Sequence, residues 1–189
     1  MIISPNMLKT ISKSKDLFIE KYIDNIPEIQ LSEPFRQGKE IHALANYYLK
    51  GQDISKLENA LSPERRKLWE KLKTNPYFNF ECINSEYTVT SKLGEFWIGG
   101  RIDALVKNGK DYYILDYKTG QIPENAVYDY QTMVYLYTLD KLIKNYDSLN
   151  FVYLGLKTST EEKITLNKDL LKEYEKKLLN GCLQIKNLL

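Results

Sequence analysis

Asp103 and Asp116 are the residues of this chain best suited to chemistry, and the second belongs to the run Ile114-Leu115-Asp116-Tyr117-Lys118-Thr119-Gly120. Both read as strand residues on neighbouring strands. Side chains alternate faces along a strand, so Asp116 and Lys118 project to one side while Tyr117 points away. One site then gathers two anions and an ammonium. A carboxylate pair repels itself, and both members ionise readily only with a cation between them. The simplest such cation is Mg²⁺. A hard, oxygen-rich site with a lysine beside it is what metal-assisted cleavage of a phosphodiester requires.

Plainer readings stand beside this one. Asp103, in Gly100-Arg101-Ile102-Asp103, could pair with Arg101, two positions away on the same face. Asp116 could pair with Lys118, an interaction worth ~0–1 kcal/mol at a surface. The second pairing leaves Asp103 unexplained among Ile98, Ile102 and Val106, where an ionised carboxylate is costly unless paired or bound to a metal. Gly99 and Gly100 weaken a strand interior, and such glycines mark a close approach. His42 is the only histidine, and a lone histidine is more often structural than ligating.

The elements that must position these residues follow from periodicity and turn chemistry. Ser4-Pro5 reads as a helix start, followed by a short helix over Asp16–Tyr22, with Pro27 and Pro34 as punctuation. Phe35, Ile41, Leu44, Ala45, Tyr48 and Leu49 follow helical spacing across Glu33–Lys50, and Gly51 ends that pattern. Ser62-Pro63-Glu64 opens a helix through Leu68, Trp69 and Leu72. The texture then becomes β-leaning: Glu81–Thr90, a turn at Lys92-Leu93-Gly94, Glu95–Lys107, a hairpin signal at Asn108-Gly109, and Asp111–Lys118. A helix is predicted over about Tyr128–Ile143, a strand over Asn150–Leu156, a further strand at Ile164–Leu166, and a last helix from near Asn167 with Leu171, Tyr174, Leu178, Cys182 and Ile185 on one stripe. Helices, three antiparallel strands, helix, strand and helix imply one mixed α/β (α+β) sheet packed by helices.

The spacing Gly100-x-x-Asp103, Asp116-Tyr117-Lys118 and Gln131-x-x-x-Tyr135 resembles the active-site signature of the PD-(D/E)XK nuclease superfamily, in its RecB-like exonuclease branch. His42, in Gly38-Lys39-Glu40-Ile41-His42, resembles that branch's upstream histidine, and Ser4 and Leu8 resemble its N-terminal segment. The resemblance implies a restriction-endonuclease-like core. It makes His42, Asp103 and Asp116 side-chain metal ligands, with the Tyr117 carbonyl as a further one. It makes Lys118, with Asp103 and Asp116, catalytic, and gives Gln131 and Tyr135 a substrate-binding role, Gln131 touching the substrate backbone or the lysine. Glu86 resembles a recurrent acidic position and is left outside the ligand set. The expected cofactor is Mg²⁺ or Mn²⁺, and the imidazole favours Mn²⁺ relative to an all-oxygen site. Lys118 would orient or deprotonate the attacking water or stabilise charge on the phosphate. Base catalysis would need a lysine pKa strongly depressed from ~10.4, whereas charge stabilisation needs no such shift and is the role favoured. Ile102 stands where the superfamily's name has proline.

Bulk properties agree with this reading without demanding it. At 189 residues, with 43% hydrophobic and 28% charged residues and a net charge of +2, the chain suits one domain, 1–189, with a helical part at 1–80 and a catalytic core at 81–189. Lys9, Lys13, Lys15 and Lys21 could meet phosphates; Lys172, Lys176 and Lys177 read as a solvated helix face balanced by Glu173 and Glu175. Two cysteines, Cys82 and Cys182, exclude a four-cysteine iron–sulfur cluster or zinc site within the chain. No membrane span, leader or GxxxxGK[ST] motor motif is visible, and a cytoplasmic location is expected. The expectation is a divalent-metal-dependent deoxyribonuclease, an exonuclease, acting on DNA in repair, with a protein partner that supplies a motor or specificity. The competing expectations are a catalytically silent nucleic-acid-binding or assembly subunit of the same fold, and a non-nuclease whose Asp103, Asp116 and Lys118 form only an ion-pair network.

Overall fold

A computed structural model of the chain describes residues 1–26 and 33–189, those at 33–37 by backbone alone. Pro27, and the side chains of Pro34 and Phe35, lie outside the described residues. In chain order the elements are β1 (Ile2–Ile3), α1 (Pro5–Lys13), α2 (Lys15–Phe18) running into a π-turn at Ile19–Ile23, α3 (Glu33–Leu49), α4 (Ser55–Ala60) and α5 (Pro63–Lys73). There follow β2 (Glu81–Leu93), β3 (Phe96–Asn108), β4 (Asp111–Lys118), α6 (Tyr130–Leu142), β5 (Ser148–Gly155), β6 (Thr160–Thr165) and α7 (Lys168–Lys186). Local chemistry sets most of these boundaries. The Ser4 hydroxyl accepts from the Met7 amide ahead of Pro5, the Ser62 hydroxyl from Arg65 ahead of Pro63, and the Asn167 side chain from Asp169 and Leu170. Each cap satisfies amides that the first helical turn leaves unpaired.

The six strands form one mixed sheet in the order β1-β3-β4-β5-β6, with β2 also on β3. β2, β3 and β4 are the expected antiparallel meander, closed between the last two by a two-residue turn in which Gly109 takes φ +62°. β5 lies parallel to β4, reached through α6, and β6 returns antiparallel. The sequence reading missed β1, a two-residue strand parallel to β3, and α4. Both are too short to carry a periodic signal.

Helices cover both faces of the sheet. Leu8, Val134, Leu136, Phe151, Tyr174 and Leu178 belong to the core beneath α1, α6 and α7. Ile41, Leu68, Trp69, Leu72, Leu115 and Val152 belong to the core beneath α3 and α5. Such burial is the main stabilising term of a domain this size. Among the described residues no helix is long and apolar enough to cross a membrane.

Two irregularities in β3 create the space for a site. β2 pairs with β3 along nearly its whole length, so β1 at Trp97–Ile98 and β4 at Ala104–Asn108 must share the opposite edge. Between them, residues 99–103 of that edge carry no strand partner. The second irregularity is a reversal of faces. Ile98 and Ile102 join the α6 core, yet Ala104 and Val106, of the same parity, join the α3 core. β2 reverses with it: Ser91 bonds Thr138 of α6, whereas Ser85 bonds Asn46 of α3. A one-residue offset is what exchanges the two faces of a strand. Glu86, at φ +48°, stands at the crossing in β2, between the pairs Ser85–Ala104 and Tyr87–Ile102 that also bracket Asp103.

Candidate active site

The open edge of β3 is where the candidate residues meet. Ladder pairing of β3 with β4 stops at Ala104–Leu115, so the Tyr117 amide and carbonyl have no backbone partner on β3. Side chains take both: Tyr117 N donates to Asp103 Oδ2 at 2.9 Å, and His42 Nε2 donates to the Tyr117 carbonyl at 2.9 Å. The other imidazole nitrogen, Nδ1, lies 3.1 Å from Asp103 Oδ1 and 3.9 Å from Glu86 Oε1. α3 delivers His42 to this point, and Gly38, one turn earlier, packs against Thr119 so closely that a Cβ would sit 3.2 Å from its hydroxyl.

A carbonyl oxygen accepts only, so both imidazole nitrogens face acceptors and both carry protons. Burial alone would lower the His42 pKa, but the Asp103 hydrogen bond and charge outweigh it and raise the value to about 9. Asp116 moves upward for a different reason. It is buried, with Asp103 adding repulsion against the attraction of Lys118, and its carboxyl rises to about 6.

Asp116 and Lys118 share the α6 side of β4, as strand alternation predicts. Lys118 Nζ lies 2.8 Å from Asp116 Oδ2 and donates to Gln131 Oε1 at 2.8 Å. The Lys118 ammonium is the close partner of Oδ2 among the described residues. Gln131 Nε2 donates to Asp116 Oδ1 at 3.2 Å, so the amide bridges lysine and carboxylate. Of the two roles expected for Gln131, contact with the lysine is the one seen. Asp129, which the sequence reading passed over, sets that amide: it caps α6 by accepting from the Gln131 backbone and holds Lys9 of α1 at 3.1 Å. Its signal was local, an aspartate at the head of an apolar helical run.

Tyr135 lies one turn after Gln131 but faces structure rather than open space. It is buried, and its hydroxyl donates to the Arg101 carbonyl at 3.0 Å on the unpaired edge of β3. Gly100 makes room for it, since a Cβ there would fall 2.8 Å from that hydroxyl. Tyr135 therefore braces the strand that carries Asp103.

Glu86 joins the group although the sequence reading set it aside. One ligand atom each from His42, Glu86 and Asp103 lie within 4.8 Å of one another. Left-handed backbone is uncommon for a non-glycine residue and clusters at functional sites. Its sequence signals were the resemblance to a recurrent acidic position and the polar break Asn84-Ser85-Glu86 inside a strand. Glu86 Oε2 also takes Arg101 Nε at 2.9 Å. A cleft of about 590 Å³ opens beside these residues, lined by Gly38, Lys39, His42, Glu86, Arg101 and Thr119.

The donors fit a divalent cation. The imidazole of His42 and the carboxylates of Glu86 and Asp103 bring one ligand atom each within 4.8 Å of one another. Mixed nitrogen and oxygen donors suit Mn²⁺ as well as Mg²⁺.

The sequence profile of the PD-(D/E)XK nuclease superfamily matches residues 52–188. The chain belongs to this superfamily. Its members are hydrolytic nucleases that use divalent metals, so the superfamily assigns nucleic acid as substrate and accounts for the clustered carboxylates. No curated protein matches the chain. Among solved structures, the chain is similar to a protein described as a putative exonuclease from Eubacterium rectale, at 15% identity and TM-score 0.59, covering 98% of this chain and 81% of that one. At this identity the likeness speaks for the superfamily fold alone. The structure of SSO0001 aligns at 15% identity and TM-score 0.45 over 95% of this chain and 70% of that one. The mixed sheet flanked by helices is the restriction-endonuclease-like core of the superfamily. Cys82 and Cys182 are free thiols.

Proposed function

We propose that residues 1–189 act as one nuclease domain that hydrolyses DNA phosphodiester bonds with Mg²⁺ or Mn²⁺, as an exonuclease of the cytoplasm. The observation that carries this reading is the gathering of His42, Glu86 and Asp103 within 4.8 Å of one another at the unpaired edge of β3, beside the Tyr117 carbonyl, with the Asp116–Lys118 pair flanking Tyr117 on β4. His42, Glu86 and Asp103 would hold the cation from the cleft side, with Asp116 and the Tyr117 carbonyl beside them. Bound there, a divalent ion supplies polarisation of the phosphate and a more acidic water.

The chain's own groups complete the electrostatics. Gln131 and Asp116 fix the Lys118 ammonium from two sides, so it offers preorganised positive charge where a phosphate gains negative charge. Asp103 orients His42 and anchors the Tyr117 amide, which keeps β3 and β4 apart at the reacting edge. Tyr135 holds the Arg101 carbonyl and so maintains the same gap. The E. rectale protein of similar fold is described as a putative exonuclease, and the same mode of cutting is proposed here.

The test is incubation with end-labelled linear and closed circular DNA, single- and double-stranded, with Mn²⁺ or with EDTA. Linear DNA is expected to shorten from its ends in Mn²⁺ only, with closed circles intact. Cleavage of circles replaces exonuclease with endonuclease. DNA binding without cleavage in Mn²⁺ supports the silent-subunit reading instead.

A further inference from the structure

The reversal of faces at Glu86 and Asp103 leaves one stretch of sheet without cover among the described residues. Beyond it, odd-numbered residues of β3 and even-numbered residues of β2 point away from α6. This face carries Trp97, 46% exposed, and Ile2 of β1, 48% exposed and paired with it. Lys92 lies opposite Trp97 and Thr88 opposite Arg101. Gly99 separates Trp97 from Arg101 without a side chain, so nothing rises between them. The arrangement is an exposed indole, a flat polar floor and two cations.

This floor runs into the cleft. Arg101, with its side chain 68% exposed, lines the 590 Å³ space beside His42 and Glu86. Only its Nε is engaged by Glu86, and a guanidinium has further donors. Lys92 Nζ sits 5.6 Å from the Trp97 ring centroid, a cation–π contact that keeps positive charge beside the indole. At ~3.3 Å per strand residue, Trp97 stands ~20 Å from Asp103 and Arg101 falls on the way. A solvent-exposed tryptophan in line with lysine and arginine matches the two demands of a single strand, a π-face for a base and cations for its backbone.

We propose that this face of β1, β2 and β3 is a track for single-stranded DNA leading to the candidate active site, with a base stacked on Trp97 and phosphates held by Lys92 and Arg101. The proposal rests on the nuclease reading and narrows its substrate to an unpaired strand. A duplex cannot offer a base face to the indole without being opened, whereas a single strand can.

The chain carries its own reporter, because Trp69 is fully buried and Trp97 is the exposed tryptophan. Titrating a twelve-residue oligothymidylate into the wild type in EDTA is expected to quench the solvent-exposed part of the emission and protect it from acrylamide. Trp97→Ala should weaken that binding about ten-fold or more, within the ~1–3 kcal/mol that one stacked base contributes, and Trp97→Phe should recover most of it. Lys92→Ala should reduce the slope of log K against log salt by ~0.7, the loss of one phosphate contact on a single strand. Unchanged buried-tryptophan emission and circular dichroism confirm that each variant folds. Oligothymidylate binding indifferent to both Trp97→Ala and Lys92→Ala overturns the track, as does equal, Trp97-independent affinity for a blunt duplex. Loss of self-association in Trp97→Ala without loss of DNA affinity would overturn it as well. If Trp97→Ala loses binding but the wild type never cuts DNA in Mn²⁺, the track stands and the nuclease reading falls. If the wild type cuts and Trp97→Ala binds and cuts alike, the nuclease reading stands and the track falls.

Discussion

His42 Nδ1 lies 3.1 Å from Asp103 Oδ1, and its other nitrogen is committed to the Tyr117 carbonyl. The relationship ties α3, β3 and β4 together at one point. It also makes the imidazole doubly protonated where a divalent ion would require it neutral.

A pH dependence of stability follows in metal-free buffer. The unfolded imidazole titrates near ~6.5, and the folded one at about 9. Because the folded value is raised, the stabilisation is complete below ~6.5 and is lost as pH rises through about 9. The melting-temperature gap between wild type and His42→Gln in EDTA should be widest near pH 6 and nearly closed by about pH 9.5. A gap constant across that range rejects the ion pair.

Asp116 predicts the opposite balance of stability and activity. Its carboxyl is raised to about 6 by burial, so the folded state holds the proton more tightly than the unfolded chain. Ionisation then destabilises the fold above ~pH 4, a penalty that stops growing above about pH 6. Asp116→Asn should melt higher than wild type at pH 7.5 in EDTA, show no such gain below ~pH 4, and lose Mn²⁺-dependent cleavage. Calorimetry at the two pH values and the nuclease assay check the two halves separately.

Lys118→Gln removes the charge that Gln131 and Asp116 hold in place. Loss of a preorganised transition-state charge or donor is worth ~10²–10³ in rate. Single-turnover cleavage of saturating DNA in Mn²⁺ should fall by at least about a hundred-fold. Full activity in this variant removes the lysine from the mechanism.

Two substitutions separate strain from ligation at Glu86. Left-handed backbone is disfavoured by ~1–2 kcal/mol for a non-glycine residue, and Glu86 adopts φ +48°. Glu86→Gly should therefore be about 1 kcal/mol more stable than Glu86→Ala by urea unfolding in EDTA. Both should lose much of the rise in melting temperature that Mn²⁺ gives the wild type, because ligand binding to the native state stabilises it. A full Mn²⁺ response in both variants removes Glu86 from the site.

The Tyr117 hydroxyl is buried without a hydrogen-bond partner among the described residues, and burial pushes its pKa well up. An unsatisfied buried hydroxyl costs ~1–3 kcal/mol. Tyr117→Phe should raise the melting temperature by about 2 °C or more in a chain this long. A fall would mean that the hydroxyl has a partner in solution.

The sequence by itself determined much of this protein. Ser4-Pro5, Ser62-Pro63 and Asn167 wrote helix starts into local chemistry, and alternation along Asp111–Lys118 put Asp116 and Lys118 on one side of β4 before any contact was known. The Asn108-Gly109 turn brought β4 back along β3, which places Asp103 level with Asp116. These are short-range effects, fixed by neighbours a few residues away. Tertiary structure alone decided the rest. β1 exists only because β3 offers it an edge, and Gly99-Gly100 reported a close approach without saying that residues 99–103 would lose their partner on that edge. His42 reaches Asp103 across 61 positions of chain because α3 packs on a particular face of the sheet. Glu86 turns toward them through a backbone reversal that strand periodicity would have placed on the wrong side. Periodicity reports which face a residue prefers, but where two strands part, and what fills the space, depends on the packing of every layer at once.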